Sequence, residues 1–302
     1  MTPPLHIAPA RCHMAAMSEQ LAGIAQTQHP LVRRLLAANP GPFTYTGTQT
    51  YLVGNRDVAV IDPGPDLDGQ VDAILRAIGD APVRAIVCTH THRDHSPAAA
   101  ELKARTGAPI IGCAPLILDD SGPRADAAFD RSYTPDEAMR DGATIQGDGW
   151  TLEAIHTPGH TSNHICFALP EAQALFSGDH VMGWSTTVVS PPDGDMADYM
   201  ESLERLIGRE QDAVYYSAHG DPIDRPQRFV RGLAGHRRQR EGQILRFLEK
   251  QPGAVPEMVS QMYVGVDPRL HGAAGLSVLA HLIDLETRGF VRHDDALWSL
   301  AA

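Results

Sequence analysis

The sequence predicts a mixed α/β domain over residues 1–222, followed by a small helical module over 223–302 that ends in a hairpin. Three observations lead there. Short strand-like runs alternate with helix-period segments as far as His219-Gly-Asp-Pro222. Beyond that point the order becomes helix, helix, helix, hairpin, which is the order of a winged-helix module. The composition, 43% hydrophobic and 21% charged over 302 residues, is that of a globular chain able to bury a real core. It excludes global disorder and collagen-like structure. The net charge of −12 argues against broad, charge-driven adhesion to DNA or anionic membranes. Cys12, Cys88, Cys113 and Cys166 contain no CxxC pair and read as reduced thiols. Met1 to Gln20 lacks the apolar core of a secretory signal, and no apolar run approaches the ~20 residues of a membrane helix. The expectation is a cytoplasmic protein without a membrane partner.

Taken in order, Thr48–Gly54 and Asp57–Asp62 pair as strands across a turn at Asn55-Arg56. Asp62-Pro-Gly-Pro65 breaks the pattern, and Val71, Ile74, Leu75 and Ile78 then mark one face of a helix. Arg84–Thr89 is a short apolar run of the buried-strand type, and Ser96 is placed to cap a helix from Pro97 to Arg105. Asp119–Asp141, charged and broken by Gly and Pro, predicts an exposed loop or lid. Strands recur at Thr151–His156, His164–Ala168, Ala174–Ser177 and Ala213–Ser217, with a helix around Tyr199–Ile207. Arg225–Lys250 is a helix carrying eight basic residues against Glu241 and Glu249. It could contact phosphates, although a solvated helix face is the plainer use. Met258–Met262 and Ala273–Arg288 predict two further helices, and Gly289–Ser299 the hairpin.

The chemistry concentrates in Thr89-His-Thr-His-Arg-Asp-His95, between a buried strand and a helix. With 15 His in the chain, three at fixed positions arise by chance at about 10⁻⁴ per start. In a loop leaving a strand, His90 and His92 point the same way and can close on one ion. Asp94 and His95 at the turn can face a second. Imidazole and carboxylate suit zinc, and also iron or manganese. Downstream, Gly159-His160, Gly178-Asp179 and His219-Gly220 each follow a strand-like run, beside a glycine that lets the backbone approach closely. His156, His164 and His180 read as structural or as outer contacts, and Cys88 as core.

This set resembles the metallo-β-lactamase superfamily across residues 45 to 222. The resemblance implies a four-layer αββα sandwich with a small C-terminal winged-helix domain. It implies two divalent metal ions, zinc first and manganese or iron as alternatives. His90, His92 and His160 would hold one, and Asp94, His95 and His219 the other. Asp179 would bridge them and, with Asp94, serve catalysis. A metal-bridging hydroxide would then be the nucleophile. Asn39-Pro-Gly-Pro42, Ile61-Asp-Pro-Gly64, Gly265–His271 and Ala280–Glu286 look like the branch containing beta-lactamase-like protein 2. The animal member of that branch is a single-stranded-RNA endonuclease, which implies a phosphodiester substrate. A small ester, thioester or lactone is the alternative, although Ser96-Pro97-Ala98 replaces the glycines of the glyoxalase II pattern THxHxDHxGG. A nucleic-acid-binding regulator with a structural metal is the alternative of another class. The C-terminal module would serve RNA binding, wall the active site, or make a homodimer.

Overall fold

The computed structural model describes residues 22–116 and 129–301. Two sheets carry most of the chain. The first has seven strands in sequential order: β1 (Gln26–His29), β2 (Val32–Leu36), β3 (Gln49–Val53), β4 (Val58–Ile61), β5 (Val83–Cys88), β6 (Ile110–Gly112) and β7 (Glu137–Ala138). Pairing is antiparallel from β1 to β4 and parallel from β4 to β7. Its crossovers contain α1 (Gln70–Ile78) and α2 (Ala98–Thr106). The second sheet comprises β8 (Thr144–Gly147), β9 (Trp150–His156), β10 (Ile165–Leu169), β11 (Ala174–Gly178), β12 (Val214–Ser217) and β13 (Ile223–Asp224). Only β11 and β12 run parallel in it, joined through α3 (Met196–Ile207). The remaining elements are α4 (Pro226–Leu248), α5 (Val255–Met262), α6 (His271–Thr287) and a hairpin, β14 (Val291–Asp294) and β15 (Leu297–Leu300).

Burial explains the layering. All four residues of β4 and all five of β10 are buried, as strands covered on both faces must be. One core joins the facing sheets and takes in Val71 and Ile74 of α1 and Leu102 of α2. A second lies behind the other sheet, where Ile155, Leu175 and Tyr215 meet Tyr199, Leu203, Val230 and Leu233. The result is the αββα sandwich that the family resemblance implies. A third core, with Ile244, Phe247, Met258, Leu282 and Trp298, belongs to the C-terminal module. The long helix α4 therefore contributes to two cores, its first half to the sandwich and its last turns to the module. Among the described residues no helix is long and apolar enough to cross a membrane.

Three expectations need correction. Ser96 does not cap α2 with its side chain; its hydroxyl donates to Asp130 at 2.8 Å, and Pro97 occupies the cap. The expected loop or lid, Asp119–Asp141, lies outside the described residues up to 128, and its remaining part is not exposed throughout. Phe129, Tyr133 and Met139 are buried, and Glu137–Ala138 adds the last strand of the first sheet. The basic stretch is not simply a solvated face, because Arg237 is 3% exposed. The edge hairpin β1–β2 carries no strong alternation in Gln26–His29 and escapes sequence reading.

Leu152 is fully buried between the sheets. Leu152→Ala should cost about 2–5 kcal/mol of stability, read from the denaturant midpoint.

Candidate metal centre

The chain directions deliver the candidate ligands to one edge. β4, β5, β9, β11 and β12 all end there, followed respectively by Asp62, His90, the His160 loop, Asp179 and His219. The sheets are tied together at this edge, where Ile165 N–H donates to the Thr89 carbonyl at 2.9 Å and Gln49 N–H to the Ala218 carbonyl at 2.8 Å. Gly178 has φ +50°, and a Cβ there would meet His164 Nε2 at 2.6 Å, so only glycine lets the chain turn into Asp179. A Cβ on Gly159 would collide with the Tyr199 backbone at 2.3 Å, which accounts for the glycine before His160.

All seven predicted site residues converge, in two groups. His90, His92, His160 and Asp179 each place one donor atom within 4.8 Å of the others, and Asp94, His95 and His219 do the same. In the first group His92 Nδ1 lies 2.9 Å from His90 Nε2 and 3.1 Å from His160 Nε2. In the second, Asp94 Oδ2 lies 3.4 Å from His95 Nε2 and 3.2 Å from His219 Nε2. Asp179 faces both. Its Oδ2 is 3.7 Å from His160 Nε2 and 3.6 Å from His95 Nε2, and its Oδ1 is 3.2 Å from His219 Nε2.

The outward-facing nitrogens are fixed by oxygen acceptors. His160 Nδ1 donates to the Val188 carbonyl at 2.7 Å, His95 Nδ1 to Asp62 Oδ2 at 2.9 Å, and His219 Nδ1 to the Gly47 carbonyl at 3.3 Å. Thr89 Oγ1 gives its proton to Asp62 and can therefore accept from His90 Nδ1 at 3.0 Å. With the outward Nδ1 so engaged, Nε2 is the atom each of these rings turns into the centre, free to ligate an ion once unprotonated. The spacing of these donor atoms, about 3 Å, also matches that of tetrahedral ligands, which at 2.0–2.1 Å from an ion would be about 3.3 Å apart. Among the described residues, His95 Nε2 and Asp179 Oδ1 are buried without a hydrogen-bond partner. The chemistry of these donors fits divalent-ion binding.

Electrostatics divide the two groups. Burial, reinforced by His95 and His92, holds His90 well below the usual imidazole range. Burial and His92 bring His160 down to about 4. These rings stay neutral and keep their lone pairs. For His219 burial acts downward, but Asp179 and Asp94 raise it to about 10, and the same carboxylates raise His95. Asp94 and Asp179 are held well below the carboxylate range by His95 and His219, against the upward effect of burial. The carboxylates that draw protons to those two rings would equally draw a divalent cation.

The structure adds residues that sequence reasoning leaves out. Asp62, 2% exposed with φ +48°, accepts from Thr89 N, Thr89 Oγ1 and His95 Nδ1. Thr48 Oγ1 donates to Asp94 Oδ2 at 2.9 Å. His164, expected as structural or an outer contact, accepts from Asp179 N at 3.3 Å and so holds the backbone of that residue. His156 is structural, on the Met139 carbonyl, and His180 packs against the Tyr199 ring.

A family model described as the Metallo-beta-lactamase superfamily matches residues 44–219, and one described as the Beta-lactamase associated winged helix domain matches residues 254–298. The chain is 34% identical over 228 residues to an atrochrysone carboxyl ACP thioesterase of Aspergillus chevalieri, spanning 73% of this chain and 67% of that one. It is 29% identical over 285 residues to the beta-lactamase-like protein 2 homolog of Drosophila melanogaster, spanning 86% and 89%. A beta-lactamase domain protein from Burkholderia ambifaria shares the fold, with a TM-score of 0.76 at 20% identity over 95% and 99% of the two chains.

Asp62→Asn should weaken ion binding on the His95 side about 10–100-fold, measured by competition with a chelator. An unchanged affinity would remove Asp62 from the site.

Proposed function

Because the chain belongs to the metallo-beta-lactamase superfamily, we propose that it is a hydrolase working with two divalent ions. His90, His92 and His160 hold one, Asp94, His95 and His219 the other, and Asp179 lies between them. The observation that carries this reading is the convergence of the seven donor atoms in two adjoining groups. Bound ions there supply Lewis acidity and an activated water at neutral pH. Asp179, its side chain 12% exposed, separates the two groups and fixes their spacing. Asp94, held by Thr48, is the more open carboxylate at 25% exposure, and so is the group placed to accept a proton. The catalytic unit takes in residues 1–222 and the winged-helix-like unit 223–302, with α4 running through both cores.

For the substrate we favour a thioester or related acyl ester. Three of the arginines that would face phosphates are occupied within the fold. Arg237 is buried, Arg238 pairs with Glu204, and Arg240 lies over the Tyr263 ring and donates to the Met262 carbonyl at 2.9 Å. A relative named as a thioesterase, 34% identical, supports the same class. Single-stranded RNA is the second reading, favoured by the exposed Arg225, Arg228, Arg231, Arg246 and Lys250 on and beside α4.

A parallel assay of the zinc- and manganese-loaded chain on an acyl thioester, a lactone and a labelled RNA oligonucleotide separates these. Thioester cleavage with intact RNA is expected; the reverse pattern would install the second reading. Asp179→Asn should lower kcat at least 100-fold, and a rate within twofold of the parent would refute its placement between the ions.

A further inference from the structure

His160 and Asp179 follow different strands, yet the irregular segment Thr187-Val188-Val189 touches both. Thr187 Oγ1 donates to the Asp179 carbonyl at 2.7 Å. The Val188 carbonyl accepts from His160 Nδ1 at 2.7 Å. The segment thus fixes where the Asp179 backbone lies and which nitrogen His160 turns inward.

No strand or helix holds this segment from within. It is held from the C-terminal side. Arg237, on α4, donates through Nη2 to the Thr187 carbonyl. Ser277, on α6, accepts from Val189 N–H at 3.4 Å. The four residues are 0–5% exposed: Thr187 1%, Val189 0%, Arg237 3% and Ser277 5%. The guanidinium of Arg237 lies over the Tyr199 ring, 5.1 Å from its centroid, and Tyr199 Oη donates to the His180 carbonyl at 3.1 Å. Among the described residues Arg237 therefore meets a carbonyl and a ring face, and no carboxylate within ion-pair distance. A charge buried in this way stabilises a fold less well than an apolar side chain of similar shape. Stability alone is a poor reason for an arginine here.

We propose that Arg237 and Ser277 are positioning residues through which the C-terminal helices set the geometry of the metal centre, with Thr187–Val189 as the link. This rests on the metal-centre reading above. The winged-helix module is then part of the ligand support, because it anchors α6 and the far end of α4 through its own core. Loosening either anchor releases one ligand from each of two loops together.

The test uses the full-length chain loaded with zinc, following ion transfer to a chelator, and the cobalt(II)-loaded chain, following its visible spectrum. Arg237→Met should lose ions about tenfold faster or more and shift the cobalt spectrum. Arg237→Lys, which can still donate to the carbonyl, should restore part of the retention. Thr187→Val should give a loss of similar size, and the double variant should be little worse than the more affected single one. Arg238→Met, which breaks an exposed pair on the same helix, should retain ions like the parent. A folded Arg237→Met chain with parental retention and spectrum would overturn the proposal. Additive losses in the double variant would overturn it too. Should Arg237→Met fail to fold, Thr187→Val and Ser277→Ala decide, and parental retention in both would overturn it. A parent chain that takes up no ion sinks the metal-centre reading as well. A parent that holds ions while all these variants match it sinks only the coupling.

Discussion

A carboxylate buried at the junction of two sheets needs positive or polarisable partners on every side, and Asp179 imposes that requirement on the whole edge of the sandwich. Its oxygens face imidazoles from the β5 loop, the β9–β10 loop and the β12 turn. Those rings are in turn held by acceptors, which are the Asp62 carboxylate and the carbonyls of Val188 and Gly47. Removing any one support leaves a buried polar group without compensation, which costs more than the bond itself contributed. The strand directions, the glycine at 178 and the ties between the sheets all serve to bring these groups within reach of that carboxylate. The two burial regimes follow from it. His219 and His95, each facing both Asp94 and Asp179, are pushed toward the charged form, and burial keeps His90 and His160 neutral.

What the sequence disclosed depended on how local each signal was. His90, His92, Asp94 and His95 stand within six residues, so their spacing could be read directly. The partners His160, Asp179 and His219 were legible because each follows a strand-like run beside a glycine. Asp62 was not. It sits 33 positions before the ring it orients, and Asp-Pro-Gly-Pro announces a turn, not a hydrogen-bond acceptor. Thr48 was hidden for the same reason, 46 positions from Asp94. The charged composition of the 119–141 stretch masked the few apolar positions, Phe129, Tyr133 and Met139, that pack inward. Arg237 was concealed among seven other basic residues, since a charge run carries no mark of which member is buried.

The C-terminal third takes on a different meaning in the folded chain. Its excess of positive charge contrasts with the acidic total, and on sequence grounds it suggested a surface for polyanions. In the structure part of that charge is engaged within the chain. Arg238 reaches Glu204 of α3, Arg288 reaches Glu241 and Asp284, and Arg237 grips the segment beside the ligands. Helix α4 contributes side chains to both the sandwich core and the core of the module. Specificity would then be written around an acidic, imidazole-rich centre more than along a basic track.

Seven side chains, carried to one edge by separate loops, are proposed to form one centre for two ions. The most direct measurement is the metal content of the purified full-length chain after loading and desalting, by elemental analysis against protein concentration. Close to two divalent ions per chain are expected, falling by about one in a His219→Ala variant and a His160→Ala variant alike. One ion or none in the parent chain, or two retained in both variants, would contradict the proposal.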